Sequence, residues 1–225
     1  MAHIAVLGLG NWGTAIARLW LLEGHKVKGW TIEQEVYESI TMSEVNEKYL
    51  PHHPVKGLDA TMHLSEAIDG SEIIVLAVPS SVILDVMEDV LPHLQPGHVL
   101  LDLAKGLAPG KRLISEAIHT RLKEEGKSNP LAVLTGPTIA PEAAGGVMTT
   151  ALVASEDQAI AQRLAQTLST PSFILHPASD PVGAELWGAY KNVVALACGL
   201  VDGLKHVGDL GGDNLKAAIF MSGFK

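Results

Sequence analysis

The sequence is shortest in cysteine: Cys198 is the only one. That excludes an internal disulfide and fits a reducing compartment, so the cytoplasm is the expected location. Basic residues are also scarce, 16 against 25 acids for a net charge of −9, and they form no run. A nucleic-acid partner is therefore not expected, because nothing could track a phosphate backbone. The few aromatics do not rescue that reading, since Trp12, Trp20, Trp30 and Trp187 are not interleaved with basic side chains. Glycine or charge interrupts every apolar stretch before the ~20 residues that a membrane span needs. Met1-Ala-His-Ile-Ala-Val-Leu7 runs directly into a strand and lacks the layout of a signal peptide. Histidine is plentiful, but no His-x-x-x-His occurs and His52-His53 sits in a proline-flanked loop, so no metal site is expected. Cys198 has no histidine near it in sequence and reads as packing, not as a nucleophile.

What is present is an alternation of strands and helices. With 47% hydrophobic and 18% charged residues the chain can bury a sizeable core. Ile4–Leu7 reads as a strand and Thr14–Leu22 as a helix ending at Gly24, with Lys26–Trp30 as the next strand. Between the first two lies Gly8-Leu-Gly10-Asn-Trp-Gly13. A Gly-x-Gly-x-x-Gly run is weak evidence alone. In a strand–helix–strand setting of about 30 residues it points to a dinucleotide. Gly8 permits the turn, Gly10 lets backbone approach a pyrophosphate, and Gly13 lets the helix pack close. Glu33 lies about 20 residues on, where an acid can hold a ribose, and no arginine follows the strand to hold a 2′-phosphate.

After a helical and irregular segment from Glu35 to Pro54, further strands are expected at 72–78, 99–103, 131–135, 150–154 and 172–176. Helices are expected at 82–91, 111–125 and 158–168. The pattern predicts an α/β fold, a doubly wound parallel sheet of the Rossmann type over residues 1–180. From 181 to 225 the chain reads as wholly helical, the start of a second, substrate-binding domain. Ligands of such sheets sit beyond the carboxyl ends of the strands. Those ends carry the glycine loop, Pro79, Lys105 and Gly136-Pro-Thr138.

The first segment of the helical part, Glu185 to Asp202, is expected to form a largely buried helix of about 18–20 residues. It contains one cation, Lys191. Glu185 is six residues back on another face. Asp202 is eleven residues on, about 16 Å away at 1.5 Å per residue. The helix thus cannot neutralise its own lysine. Either the side chain snorkels to the surface or it serves a site.

These motifs together resemble the NAD(P)-dependent glycerol-3-phosphate dehydrogenases. The resemblance rests on Gly8 to Thr14, Ala104-Lys-Gly106, Gly136-Pro-Thr-Ile-Ala140 with Glu142, and Glu185-x-x-Gly-Ala-x-Lys-Asn192. It continues through Ala197-x-Gly199, Asp202-Gly203 and Asn214-x-Lys-Ala-Ala218, so it runs the length of the chain in order. It implies NAD or NADP as cofactor, with Gly8, Gly10, Asn11, Trp12 and Gly13 along the pyrophosphate, and Ile32 and Glu33 near the adenosine. Lys105 would reach cofactor and substrate, Ala140 the cofactor, and Gly136 and Thr138 the substrate. Lys191 would be the proton donor and acceptor, with Lys105 beside it in the catalytic set. Ile32 departs from the basic residue often found there and leaves the choice between NAD and NADP open.

The implied reaction is reversible reduction of dihydroxyacetone phosphate to sn-glycerol 3-phosphate, a supply for glycerophospholipid synthesis. The partner is a small-molecule phosphate, and a homodimer is a compatible assembly. The family continues with an Asp and a Ser-Arg-Asn segment, whereas this chain ends at Phe224-Lys225 with Met221-Ser222 in place of Thr-Arg. A fragment or a naturally shortened relative is therefore expected. Two other readings remain: a non-catalytic dinucleotide-binding module, and a 3-hydroxyacid dehydrogenase-like enzyme, whose asparagine usually lies several residues after the lysine.

Overall fold

The computed structural model describes residues 1–208 and 212–223. Eight strands form one sheet: β1 (His3–Leu7), β2 (Lys26–Trp30), β3 (Asp59–Thr61), β4 (Ile73–Leu76), β5 (Val99–Asp102), β6 (Leu131–Thr135), β7 (Thr149–Ala154) and β8 (Phe173–Ala178). Their spatial order is β3-β2-β1-β4-β5-β6-β7-β8. Between them run α1 (Asn11–Leu22), α2 (Gln34–Ser43), α3 (Leu64–Ile68), α4 (Ile83–Val90), α5 (Ile114–Glu124), α6 (Ala140–Ala144) and α7 (Gln158–Leu168). Two further helices follow the sheet, α8 (Pro181–Gly208) and α9 (Asp213–Gly223).

The inner strands are unbroken apolar runs because both faces of the sheet are covered. Alternate residues feed two cores. Val6, Val75 and Leu101 pack with Ile16 and Trp20 of α1 and Leu164 of α7. Leu7, Ile74, Leu76 and Leu100 pack on the other face with Ile83 and Met87 of α4 and Ile118 of α5. The order reverses at β1 and β4, which pair in parallel with Leu7 opposite Leu76. Chain direction from β1 diverges there to either side, and a crevice opens beyond the strand ends.

Two expectations need correction. The sheet is parallel from β3 to β6, but β7 runs antiparallel to β6, and β8 is parallel to β7. The cause is the short connection. The five residues of α6 advance the chain only about 7.5 Å, too little to return it along a strand of about 17–20 Å. The chain therefore turns at the carboxyl end of β6 and comes back as β7. Strand β3 was also not expected, being a three-residue edge strand of Asp, Ala and Thr with no apolar run to announce it.

The second correction concerns α8. It is 28 residues long and is not largely buried. Ala184, Glu185 and Val201 are buried, while Tyr190, Val193, Leu196 and Leu200 are exposed. Its first turns lie along β6 and it also packs against α9, so burial is confined to those contact sides.

Candidate functional site

The glycine loop does what each of its three glycines requires. Gly8 has φ +107°, and a Cβ there would lie 2.7 Å from the Ala77 carbonyl oxygen at the end of β4. At Gly13 a Cβ would lie 1.9 Å from the Gly8 carbonyl oxygen, so α1 can start against the loop only with glycine there. Gly10 is different: a Cβ would meet nothing within 4 Å. The open space at Gly10 lies at the N-cap of α1, whose first turn carries no side-chain cap. Unused N–H groups and the helix dipole make this an anion seat. The residues present therefore fit a dinucleotide pyrophosphate. Asn11 is exposed and Trp12 is half-buried, its ring edge-on to Phe173 at 6.0 Å.

Asn46 pins this loop. It is fully buried and donates to the Leu9 carbonyl and to the Thr14 hydroxyl, both at 2.8 Å, while its own carbonyl accepts the Tyr49 N–H. Thr14 in turn donates to the Leu9 carbonyl at 3.1 Å.

Beyond β2, Ile32 is 75% exposed. Glu33 is occupied on both oxygens, by Lys48 at 2.5 Å and by the Tyr49 hydroxyl at 2.9 Å. The Lys48 hydrogen bond, more than any other cause, holds the Glu33 carboxyl below its usual range. Lys48 also pairs with Glu35.

At the carboxyl ends of β5 and β6 two lysines meet. Lys105 Nζ lies 3.4 Å from the Thr138 hydroxyl oxygen, and Lys191 Nζ donates to the Thr138 carbonyl at 3.2 Å. Burial pushes the Lys105 ammonium down to about 8, with the Lys191 charge as the next cause. Lys191 is partly buried, and this contact turns its ammonium toward Thr138 and not out along the exposed side of the helix. Asp202 is spent elsewhere, in an ion pair with Lys216 of α9.

Three small residues make the convergence possible. Gly106 has φ +134° and a Cβ there would strike Ser80 Oγ at 2.8 Å, so the Lys105 turn closes on the loop after β4. Gly136 lies against Thr150 and Ala151 of β7, with no room for a Cβ. Gly188 lies where a Cβ would sit 2.7 Å from Thr135 Oγ1, and α8 reaches the end of β6 through that gap. Ala140 opens α6 and packs in a buried cluster with Ala15, Leu50 and Trp12, beside the glycine loop. The side chain of Asn192 lies outside the described residues, as do Phe224 and Lys225.

Comparison with known proteins now bears on this arrangement. The family described as NAD-dependent glycerol-3-phosphate dehydrogenase N-terminus matches residues 3–161, and the corresponding C-terminus family matches residues 180–225. The chain belongs to the NAD-dependent glycerol-3-phosphate dehydrogenase family. It is 34% identical over 227 residues to the glycerol-3-phosphate dehydrogenase [NAD(P)+] of Fusobacterium nucleatum, covering 100% of this chain and 66% of that one. The enzyme of the same name from an Exiguobacterium species is 39% identical, with 99% of this chain and 64% of that one covered. Among solved structures, glycerol-3-phosphate dehydrogenase from Coxiella burnetii superposes with a TM-score of 0.84 at 32% identity. That likeness covers 98% of this chain and 65% of that one. The chain thus spans about two thirds of the length of these relatives.

Within this family fold, four residues of the site were not signalled by local sequence: Asn46, Lys48, Asp102 and Glu185 in its buried role. Asp102 ends β5, fully buried, with Oδ1 accepting the Ala104 N–H at 2.8 Å. Glu185 is 2% exposed and receives donors from Ile114 and Ser115 at the start of α5. Among the described residues no group of three or more His, Cys, Asp or Glu side chains could hold a metal ion, and no helix is long and apolar enough to cross a membrane.

Proposed function

We propose that this chain carries the dinucleotide site and the proton-transfer lysines of a glycerol-3-phosphate dehydrogenase, interconverting dihydroxyacetone phosphate and sn-glycerol 3-phosphate. The observation that carries the reading is the meeting of Lys105 and Lys191 on Thr138, at the strand ends beside the glycine loop. A bound nicotinamide, NADH or NADPH, supplies the hydride. The residues of the chain do the rest. Gly8, Gly10 and Gly13 give the dinucleotide its backbone seat, and the first turn of α1 faces its charge.

As negative charge grows on the ketone oxygen, an ammonium within hydrogen-bonding reach stabilises it and delivers the proton. We assign that step to Lys191, with Lys105 as the neighbouring cation that binds the anionic substrate. Two ammonium groups held together oppose one another, and an anion between them relieves that repulsion. They form a local positive spot in a chain of net charge −9. The bulk of the domain, residues 1–180, holds the cofactor in this reading, and 181–225 brings the substrate lysine. The relatives' names support the substrate, as does the adjacent order of Lys191 and Asn192 against the 3-hydroxyacid reading.

The test is NADH- or NADPH-dependent reduction of dihydroxyacetone phosphate by the chain and by Lys191→Ala. The variant should lose at least about 100-fold in kcat while still binding dinucleotide. Normal turnover by Lys191→Ala would remove the proton-donor role. Dinucleotide binding without turnover in the parent chain would leave a nucleotide-binding module.

A further inference from the structure

Each of the two lysines follows a buried carboxyl group at a short distance along the chain. Lys105 is three residues past Asp102, and Lys191 is six past Glu185. Asp102 has one donor, the Ala104 N–H, and its Oδ2 is buried without a partner. Glu185 is far better provided. The Ile114 N–H, the Ser115 N–H at 3.3 Å from each oxygen, and the Ser115 hydroxyl all point at its carboxylate. These N–H groups open α5, an eleven-residue helix, so its dipole also favours the charge. Glu185 of α8 therefore serves α5 as a cap from another element, tying the two helices together at the base of the lysine pair.

We propose that Asp102 and Glu185 are a pair of positioning residues that set the separation of Lys105 and Lys191. Asp102 fixes the turn that leads into Lys105. Glu185 fixes α8 against α5 and so fixes where Lys191 arrives. The donors are shared unequally between them: two N–H groups and a hydroxyl reach Glu185, and one N–H reaches Asp102. Burial, and then the nearby Glu185 charge, raise the Asp102 carboxyl to about 8. Neither carboxyl bonds to a lysine nitrogen: their partners are Ala104, Ile114 and Ser115. They act through the backbone, and the claim rests on the proposed function only for what the lysines go on to do.

A merely structural clasp would change melting temperature and nothing at the site. A positioning pair changes the titration of Lys105, because that ammonium is lowered by burial and then by Lys191, the charged group that acts on it. The experiment is a ¹³C-methyl-lysine NMR titration of the whole chain, with the Lys105 signal assigned by Lys105→Arg. Lys191→Met should raise the Lys105 midpoint and so calibrate the effect of its neighbour. Glu185→Gln turns an amide toward the α5 donors and should recover at least about half of that rise. Ser115→Ala, which deletes one donor, should move the midpoint less in the same direction. At the other anchor, Asp102→Ala should shift it, and Asp102→Asn, which keeps the acceptor for Ala104, should restore it.

A folded Glu185→Gln with the wild-type midpoint overturns the proposal. If that variant does not fold, Ser115→Ala decides in its place, and an unmoved midpoint there overturns it equally. An unmoved midpoint in Lys191→Met also does so. None of these readouts uses turnover, so a chain inactive on dihydroxyacetone phosphate but with these titrations defeats the proposed reaction and leaves the positioning pair standing.

Discussion

At Gly13 the packing of the glycine loop depends on one missing methyl group. Gly13→Ala would place a carbon 1.9 Å from the Gly8 carbonyl oxygen, which is backbone and cannot swing aside. The expected result is a loss of about 1–3 kcal/mol in a denaturant melt, with dinucleotide binding lost in the same protein. Asp102 makes a different prediction. Its carboxyl is raised from 3.8 to about 8, so the folded state keeps a proton that the unfolded chain gives up between those values. The stability that this group contributes is present below pH 3.8 and is lost as pH climbs toward 8. Asp102→Asn removes the titration, and the variant should gain on the parent by several degrees in Tm between pH 5 and 8, at roughly 2–4 °C per kcal/mol. Thermal melts at the two pH values check this, and a constant difference would contradict it. Lys105, depressed from 10.5 to about 8, acts in a higher window, its penalty relaxing as pH passes from 8 to 10.5. At this scale Lys105, Lys191 and the glycines were legible because their meaning is local. Asn46, Asp102 and Glu185 were not. The acceptors of the Asn46 amide and the donors to Glu185 lie 32 to 71 residues away, and a lone polar letter carries no sign of that. Asp102 bonds only two residues on, so what the sequence hid was its burial.

Among the elements, those with an apolar signature were legible: β1, β4, β5 and β6 are each runs of mostly Ile, Val, Leu and Ala. The polar edge strand β3 and the short α3 were not, since neither buries enough to show a period. The reversal at β7 was hidden because strand direction is set by connection length, and alternation of elements does not report it. For α8 the sequence indicated the helix but not its exposed side. Composition alone cannot separate a helix packed on one flank from one packed all round. The contact that does exist passes through Gly188. Gly188→Val should push α8 off the Thr135 hydroxyl, lowering kcat at least about tenfold while leaving the dissociation constant for NADH within about twofold. Equal losses in both would place the damage in the sheet instead.

For the molecule as a whole, most of the apolar surface that could form a core does so on the two faces of the sheet. Among the exposed apolar side chains, Tyr190, Val193, Leu196 and Leu200 share one side of α8. Contiguous apolar surface of this kind binds hydrophobic dyes. The chain should enhance the fluorescence of an anilinonaphthalene sulfonate dye in its native state. Leu196→Glu/Leu200→Glu together should cut that signal by at least about half without altering the Tm by more than a few degrees. A weak native signal, unchanged by the double variant, would mean that this side is covered.

The backward course of β7 and β8 also has an effect on tolerance to change in chain length. Because β8 finishes at the opposite pole of the sheet, α8 must travel back beside β6 before its lysine is level with Thr138, and the ten steps from Pro181 supply about 15 Å of that journey. The helix is a ruler with an angular scale. One residue added between Pro181 and Lys191 would carry the ammonium onward by 1.5 Å but swing it about 100° around the axis, out of the crevice altogether. In this stretch of the sequence, spacing is as much a part of the site as the lysine itself.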